Sequence, residues 1–363
     1  MSNYKSIAVA GSILVDKINV ISAYPQEGQL TQISKVSQAV GGCVPNVAID
    51  IKKLSKDTSV YAVGLVGLDS EGEYATDVMS GVGVDVSFVK KSQENTSFTQ
   101  VMSVNGGKRT FFTYAGASAK FGVDDVDFDN LNVDMLHLGY FLLLDKVDNG
   151  DGLKILQKAK QKGIKTSIDL VSENSNRYSL VLPCLKYVDN LIINEVEASA
   201  LTGISVSKDN LSKIAQKLKE LGVAERVIIH TPEQSLSLSN NGLTIVNSYD
   251  LPNGFIKGTT GAGDAFCAGA LLMISKQKND KEILEFASAV AVTALTSQDA
   301  VSGILPQDKT VDFCKNLSRK YFTNLKEFNI THKILRQDQI QPIIIDFLNN
   351  TGHFNHVIIL FKK

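Results

Sequence analysis

The chain has 363 residues, 44% hydrophobic and 21% charged, with Lys+Arg 37 against Asp+Glu 38 and a formal net charge of −1. This is the composition of a folded protein with length for a full core, and the near-neutral balance without a long basic run argues against nucleic acid or an anionic membrane as partner. Cys43, Cys184, Cys267 and Cys314 form no C-x-x-C pair, so reduced thiols in a cytoplasmic protein are expected rather than zinc or disulfides.

Ser6 to Val15 reads as one buried strand; Gly11 interrupts it and Asp16 and Lys17 follow directly, unlike a secretion signal. Lys17 to Val36 alternates loosely through Pro25 and Gly28, as two short exposed strands. After Gly41-Gly42 and Pro45, residues Val44, Val47, Ala48, Ile51 and Leu54 recur at helical spacing, which puts Asn46 in the first turn of an amphipathic helix. A strand over Val60 to Val66 leads to a helix ending near Gly81, and Ser97 to Val104 with Thr110 to Tyr114 flank the hairpin signal Asn105-Gly106-Gly107. The two hairpins share a two-fold, half-exposed pattern and are expected to form one small sheet outside the main domain.

From Met135 onward strand and helix alternate: Met135–Leu138 then 152–162, Lys165–Leu170 then Tyr178–Leu185, 191–194 then 195–201. Such alternation predicts β-α-β units around a parallel sheet. Arg226–His230 is a further strand, 235–238 and 243–246 an antiparallel pair, and 282–296 a second helical run after the glycine-rich stretch. From about Arg319 asparagines recur and no site chemistry is evident; His353-x-x-His356 reads as surface decoration.

The chemistry centres on Gly258-Thr259-Thr260-Gly261-Ala262-Gly263-Asp264-Ala265-Phe266. Glycines at 261 and 263 let backbone N–H groups converge in front of a helix start, which makes an anion site. Asp264 in the first turn then suits a base. The stretch has neither the lysine and hydroxyl of a P-loop nor the third glycine of a dinucleotide fold, and taken alone it is also compatible with a simple helix cap. Gly42, Asn46 and Asp16 add close backbone approach, an amide and a bidentate acceptor, together a site for a polyol.

Four ordered motifs carry a resemblance: Gly41-Gly42-Cys43-Val44-Pro45-Asn46-Val47-Ala48, Gly64-x-x-Gly67-x-Asp69-x-x-Gly72, Asn194-x-x-Glu197, and 259–266. On these the chain resembles the ribokinase, or PfkB, family of carbohydrate kinases over residues 5 to 315. The resemblance implies a ribokinase-like three-layer α/β/α fold with a mostly parallel central sheet and a small β-sheet lid. The kinase domain would span 1–318, with lid segments at about 17–37 and 97–115, and leave a tail over 319–363.

By the same resemblance Asp264 is the base, the 261–263 backbone (Gly261, Ala262, Gly263) the anion hole, and Asp16, Gly42 and Asn46 hold the sugar. Asn194, Glu197, Thr231 and Thr260 go to ATP, with Glu197 ordering Mg2+ through water. Arg109 on the lid is open to contact with an acidic sugar or to solvation. Phe98, Phe111, Phe112 and Tyr114 are open to stacking on a nucleobase or to lid packing. Gly258 stands where the family carries an acid near a K+ site, and of the nucleotide motif T-x-G-x-x-G only Thr231 is kept. Glu173 and Arg177 either reach phosphates or pair with each other. The implied partners are a free sugar and ATP, with a homodimer through exposed lid edges. A nucleoside kinase and a weakly catalytic sugar-binding or regulatory protein are the competing readings; an intact Asp264 argues against the latter.

Overall fold

The computed structural model describes residues 6–104, 109–173, 175–207 and 209–320. Met1–Lys320 cluster as one compact unit and Tyr321–Lys363 as a second; the second, with His353 and His356, lies outside the described residues.

β1 (Ser6–Gly11) is buried from Ile7 on. It ends at Gly11, whose φ of +138° brings the backbone so close to the Gly139 carbonyl that a Cβ would sit 2.5 Å from its oxygen. The chain turns at Ser12-Ile13 and departs as β2 (Leu14–Ile21). The strand expected over 6–15 is therefore two strands in two sheets, because only glycine permits that turn and close approach. β3 (Ile33–Gly41), α1 (Cys43–Leu54), β4 (Ser59–Val66), α2 (Ser70–Gly81) and β5 (Asp85–Lys91) follow. β6 (Ser97–Val104) and β7 (Arg109–Tyr114) form the second hairpin; its turn, with Asn105-Gly106-Gly107, lies outside the described residues.

The second half runs α3 (Gly116–Ala119), β8 (Met135–Phe141), α4 (Gly152–Gln161), β9 (Lys165–Leu170), β10 (Asn190–Asn194), α5 (Glu195–Thr202), α6 (Leu211–Glu220), β11 (Arg226–His230), β12 (Gln234–Ser239), β13 (Gly242–Asn247), α7 (Ala262–Ser275), α8 (Asp280–Ala294) and α9 (Gln307–Cys314). The helix expected over Tyr178–Leu185 is instead two 3-10 turns, Arg177–Leu180 and Leu182–Tyr187. Pro183 falls inside that stretch and lacks the N–H an α-helix needs.

The main sheet has the order β13-β12-β11-β10-β9-β8-β1-β4-β5. It is parallel from β11 to β5, with β12 and β13 added antiparallel. Apolar layers cover both faces: one takes in residues of α4, α5 and α6, the other residues of α1, α7 and α8. The two hairpins join through a parallel β2–β6 pairing into the small sheet β3-β2-β6-β7. Chain order reverses between β1 and β8, and a crevice outside the carboxyl ends at such a switch point is where open α/β sheets bind ligands. No helix among the described residues is long and apolar enough to cross a membrane.

Candidate active site

α7 begins at Gly261, in a left-handed conformation (φ +77°). A Cβ there would meet Ala300 Cβ at 2.4 Å, whereas one at Gly263 would meet only His230 Cε1, at 3.8 Å. No side chain caps this helix, and the Ala262 N–H donates to Thr259 O at 3.3 Å. The helix start thus packs its first glycine against the 300 loop and turns its second toward open space, with a partial positive charge at that end.

Asp264, in the first turn, is 5% exposed. Its Oδ2 accepts from Asn46 Nδ2 at 2.9 Å, and the Tyr140 hydroxyl donates to Oδ1 at 2.9 Å and to Oδ2 at 2.8 Å. Burial, and then the nearby Asp169, push its pKa up to about 7 against those two donors. A carboxylate so placed can take up a proton near neutral pH.

Asn46 is buried on α1, and its Oδ1 has no hydrogen-bond partner, an acceptor left open beside Asp264. Gly42 (φ +87°) starts α1. Ser12 sits against it, its Oγ accepting from Cys43 N and its carbonyl from Val44 N, each at 3.1 Å; a Cβ at Gly42 would meet Ser12 O at 2.6 Å. The Asp16 carboxylate lies over Gly41, 2.8 Å from where a Cβ would be, and raises the Asp264 pKa further.

Asn194 and Glu197 form a reciprocal capping box on α5. Asn194 Oδ1 accepts from Glu197 N at 2.9 Å, and Glu197 Oε2 from Asn194 N at 3.0 Å. Glu197 Oε1 also accepts from Ser172 Oγ and Asn194 Nδ2, both at 2.8 Å. Even so, burial pushes the Glu197 pKa up to about 7. Asp169 raises the pKa of both carboxylates; its Oδ1 accepts from Tyr140 N at 2.7 Å and its Oδ2 is 3.4 Å from His137 Nε2. Asp169, Glu197, Asp264, Tyr140, His230 and Gly263 all line one cavity of about 190 Å³.

A second cavity, about 630 Å³, shares Asn194, His230 and Gly263 with the first and is walled by Ile256, Phe266 and Val292 among others. The His230 ring stacks on Phe266 at 4.7 Å, and burial pushes its pKa down to about 4, so it stays neutral. Thr231 closes its own loop: its Oγ1 donates to Gln234 O at 2.9 Å and accepts from Glu233 N and Gln234 N at 3.0 Å. Thr260 is exposed just before α7.

Arg109 opens β7 opposite Ser103, four residues from Thr113. Thr113 pairs with Thr99, itself level with Asp16, so the Arg109 backbone stands about 13 Å along the strand from that level. Arg177 pairs with Glu173 and donates to Leu142 O at 2.7 Å, so of the two expectations for these residues the pairing is what forms.

Residues 5–308 match the pfkB family carbohydrate kinases. The chain belongs to this family. Among curated relatives, ribokinase of Arabidopsis thaliana is 26% identical over 309 residues, 84% of this chain and 79% of that protein. Among solved structures, Arabidopsis thaliana ribokinase complexed with ribose and ATP superposes with a TM-score of 0.73 at 23% identity, over 86% of this chain and 99% of that one. The Methanocaldococcus jannaschii nucleoside kinase reaches 0.70 at 18% identity, over 87% and 99%.

For this pfkB family chain, the motif residues Gly42, Asn46, Gly261, Ala262, Gly263 and Asp264, together with Asp16, gather at the β1/β8 switch point, with Asn194 and Glu197 in the wall of the smaller cavity. Tyr140, Asp169, Ser172 and His230 join them and are absent from the motifs. A histidine at the carboxyl end of a buried parallel strand was a usable signal for His230.

Proposed function

We propose that this carbohydrate kinase transfers the γ-phosphoryl group of ATP to a hydroxyl of a small free sugar, with Asp264 as general base. As the acceptor oxygen bonds to the γ-phosphorus, its proton passes to Asp264 and the bond from that phosphorus to the bridging oxygen of ADP breaks. The carrying observation is the buried Asp264 carboxylate at the start of α7, tied to Asn46 on the facing helix with a pKa near 7. Asp16, Gly42 and Asn46 hold acceptor hydroxyls, the open Asn46 Oδ1 among the groups able to do so. The Gly261–Gly263 backbone at the helix start stabilises charge on the phosphoryl group.

The ATP base and ribose take the larger cavity. The smaller cavity is lined by Asp169, Glu197 and Asp264 and, among its lining residues, by no lysine or arginine. The Asn194 and Glu197 side chains in that lining fit a divalent cation, which these two residues would hold through water. Magnesium there supplies positive charge to the phosphate oxygens. Potassium fits less well: position 258 is a glycine that offers no carboxylate, and a side chain there would meet Ser297 O at 2.6 Å.

One observation favours a nucleoside as the second reading. Phe111 is 58% exposed, and by register it shares the lid face of Asp16, through Val101 and Ile18. Phe98 and Tyr114, by contrast, stack on each other at 5.3 Å. The purified protein with ATP, magnesium and a panel of free sugars and nucleosides decides: ADP is expected with a sugar. ADP with a nucleoside alone selects the second reading, and none with any acceptor overturns both.

A further inference from the structure

We propose that Tyr140 is a positioning residue for Asp264: its phenol and the Asn46 amide form a two-donor clamp that orients the carboxylate toward the acceptor and favours its ionised form. This rests on the kinase reading above.

The geometry is specific to the hydroxyl. Tyr140 Oη reaches both carboxylate oxygens, at 2.9 and 2.8 Å, while Asn46 reaches one. The residue stands at the carboxyl end of β8 with φ +59°, and Leu142 beyond it has φ +76°. Bulky side chains avoid that region, and it persists only where surroundings over-determine it. They do so here. Tyr140 N donates to Asp169 Oδ1 at 2.7 Å, Leu142 N to Asp148 Oδ1 at 2.8 Å, Arg177 Nη2 to Leu142 O at 2.7 Å, and Val171 N to Phe141 O at 3.0 Å. Four bonds hold a strained turn whose product is a phenol against Asp264.

The surroundings give that phenol a task. Asp169 on β9 and Asp16 on β2 oppose ionisation of Asp264. Asp50 and Cys43 on α1 and Cys267 on α7 also interact with it, each with its own pKa raised well above the ordinary value by burial first; His230 on β11 stays neutral. Among these groups Asn46 and Tyr140 supply the hydrogen bonds that favour the carboxylate form. Burial, and then the Asp264 charge, lift the phenol pKa well above its ordinary value, so Tyr140 remains a donor throughout and exchanges no proton in the transfer step.

The test is the pH profile of kcat/KM for the acceptor, which reports ionisations of the free enzyme. In Tyr140→Phe, with one donor lost, the acid limb is expected to move to higher pH by roughly half to one unit. The KM for ATP should stay within about twofold, since the phenol lies outside the larger cavity. A ring-fluorinated tyrosine placed at position 140, a stronger donor of nearly the same shape, should move the limb the other way, and it stands as the test if the Phe variant does not fold. A wild-type acid limb in the folded variants, with activity lowered equally at all pH, overturns the proposal and leaves Tyr140 a packing residue. Absence of turnover by the wild-type enzyme with every acceptor is a separate outcome: it overturns the kinase reading itself.

Discussion

The two cavities that meet at Gly263 are built by opposite means. The smaller is made of a strained turn and buried charge: Tyr140 in its lining has positive φ, and two carboxylates have pKa values lifted to about 7. The larger is walled largely by apolar side chains, and its Thr231–Gln234 turn is satisfied internally. Moving a proton and a phosphoryl group needs fixed atoms, so the first half tolerates little change. Under the proposed function the larger half would hold base and ribose through apolar area, which many side chains provide; of the T-x-G-x-x-G pattern that the resemblance implies, this chain has only Thr231.

Substitutions on the two sides should therefore differ in kind. The largest effect is expected from Gly263→Ala. A methyl there has room in the fold and adds helix propensity, so Tm should hold or rise, yet it intrudes on the phosphoryl path and should lower kcat by about a hundredfold or more. Gly261→Ala is the opposite case: the clash with Ala300 and the left-handed φ should destabilise the fold by roughly 2 kcal/mol or more, read as a lower Tm. Equal Tm losses in both variants would erase the distinction between the two glycines.

Next, Glu197→Gln should raise the magnesium concentration for half-maximal activity about ten- to a hundredfold. An unchanged magnesium requirement would reduce Glu197 to a helix cap. The smallest effect is expected across the boundary. Ile256→Ala, in the wall of the larger cavity, should raise the KM for ATP roughly fivefold through lost apolar contact and leave kcat unchanged. A large fall in kcat would mean that the larger cavity is as exacting as the smaller.

The sequence was most informative where chemistry and chain are local. Asp264 follows its own glycines and Asn46 follows Gly41-Gly42; α1 shows in apolar spacing and α7 in the apolar run Ala265 to Ile274. The alternation of strands and helices sufficed for the parallel sheet of β-α-β units, and the three-layer fold with its small sheet came with the family resemblance. Tyr140 was not legible: the apolar run of β8 reads as ending at Leu138, and nothing in a sequence announces a tyrosine at positive φ. Asp169 is visible as an acid near the carboxyl end of a strand, but its bond to Tyr140 and its proximity to His137 are tertiary. The break at Ser12-Ile13 was hidden because buried residues flank it on both sides. The helical spacing of Leu211, Ile214, Ala215 and Leu218 in α6 was readable in principle.

The central claim is that Asp264 is the base, and Asp264→Asn tests it most directly once the panel has supplied an acceptor. Turnover should fall by about a thousandfold or more, with acceptor affinity kept within a few fold. Stability supplies an independent check of sign. A carboxyl whose folded pKa is raised from 3.8 to about 7 contributes stability that is present below pH 4 and lost as pH rises through 7. The Tm advantage of Asp264→Asn over the wild type should therefore grow between pH 5 and pH 8. Lost turnover with that growing advantage is the expected result; an Asn variant that still turns over at near the wild-type rate would contradict the claim.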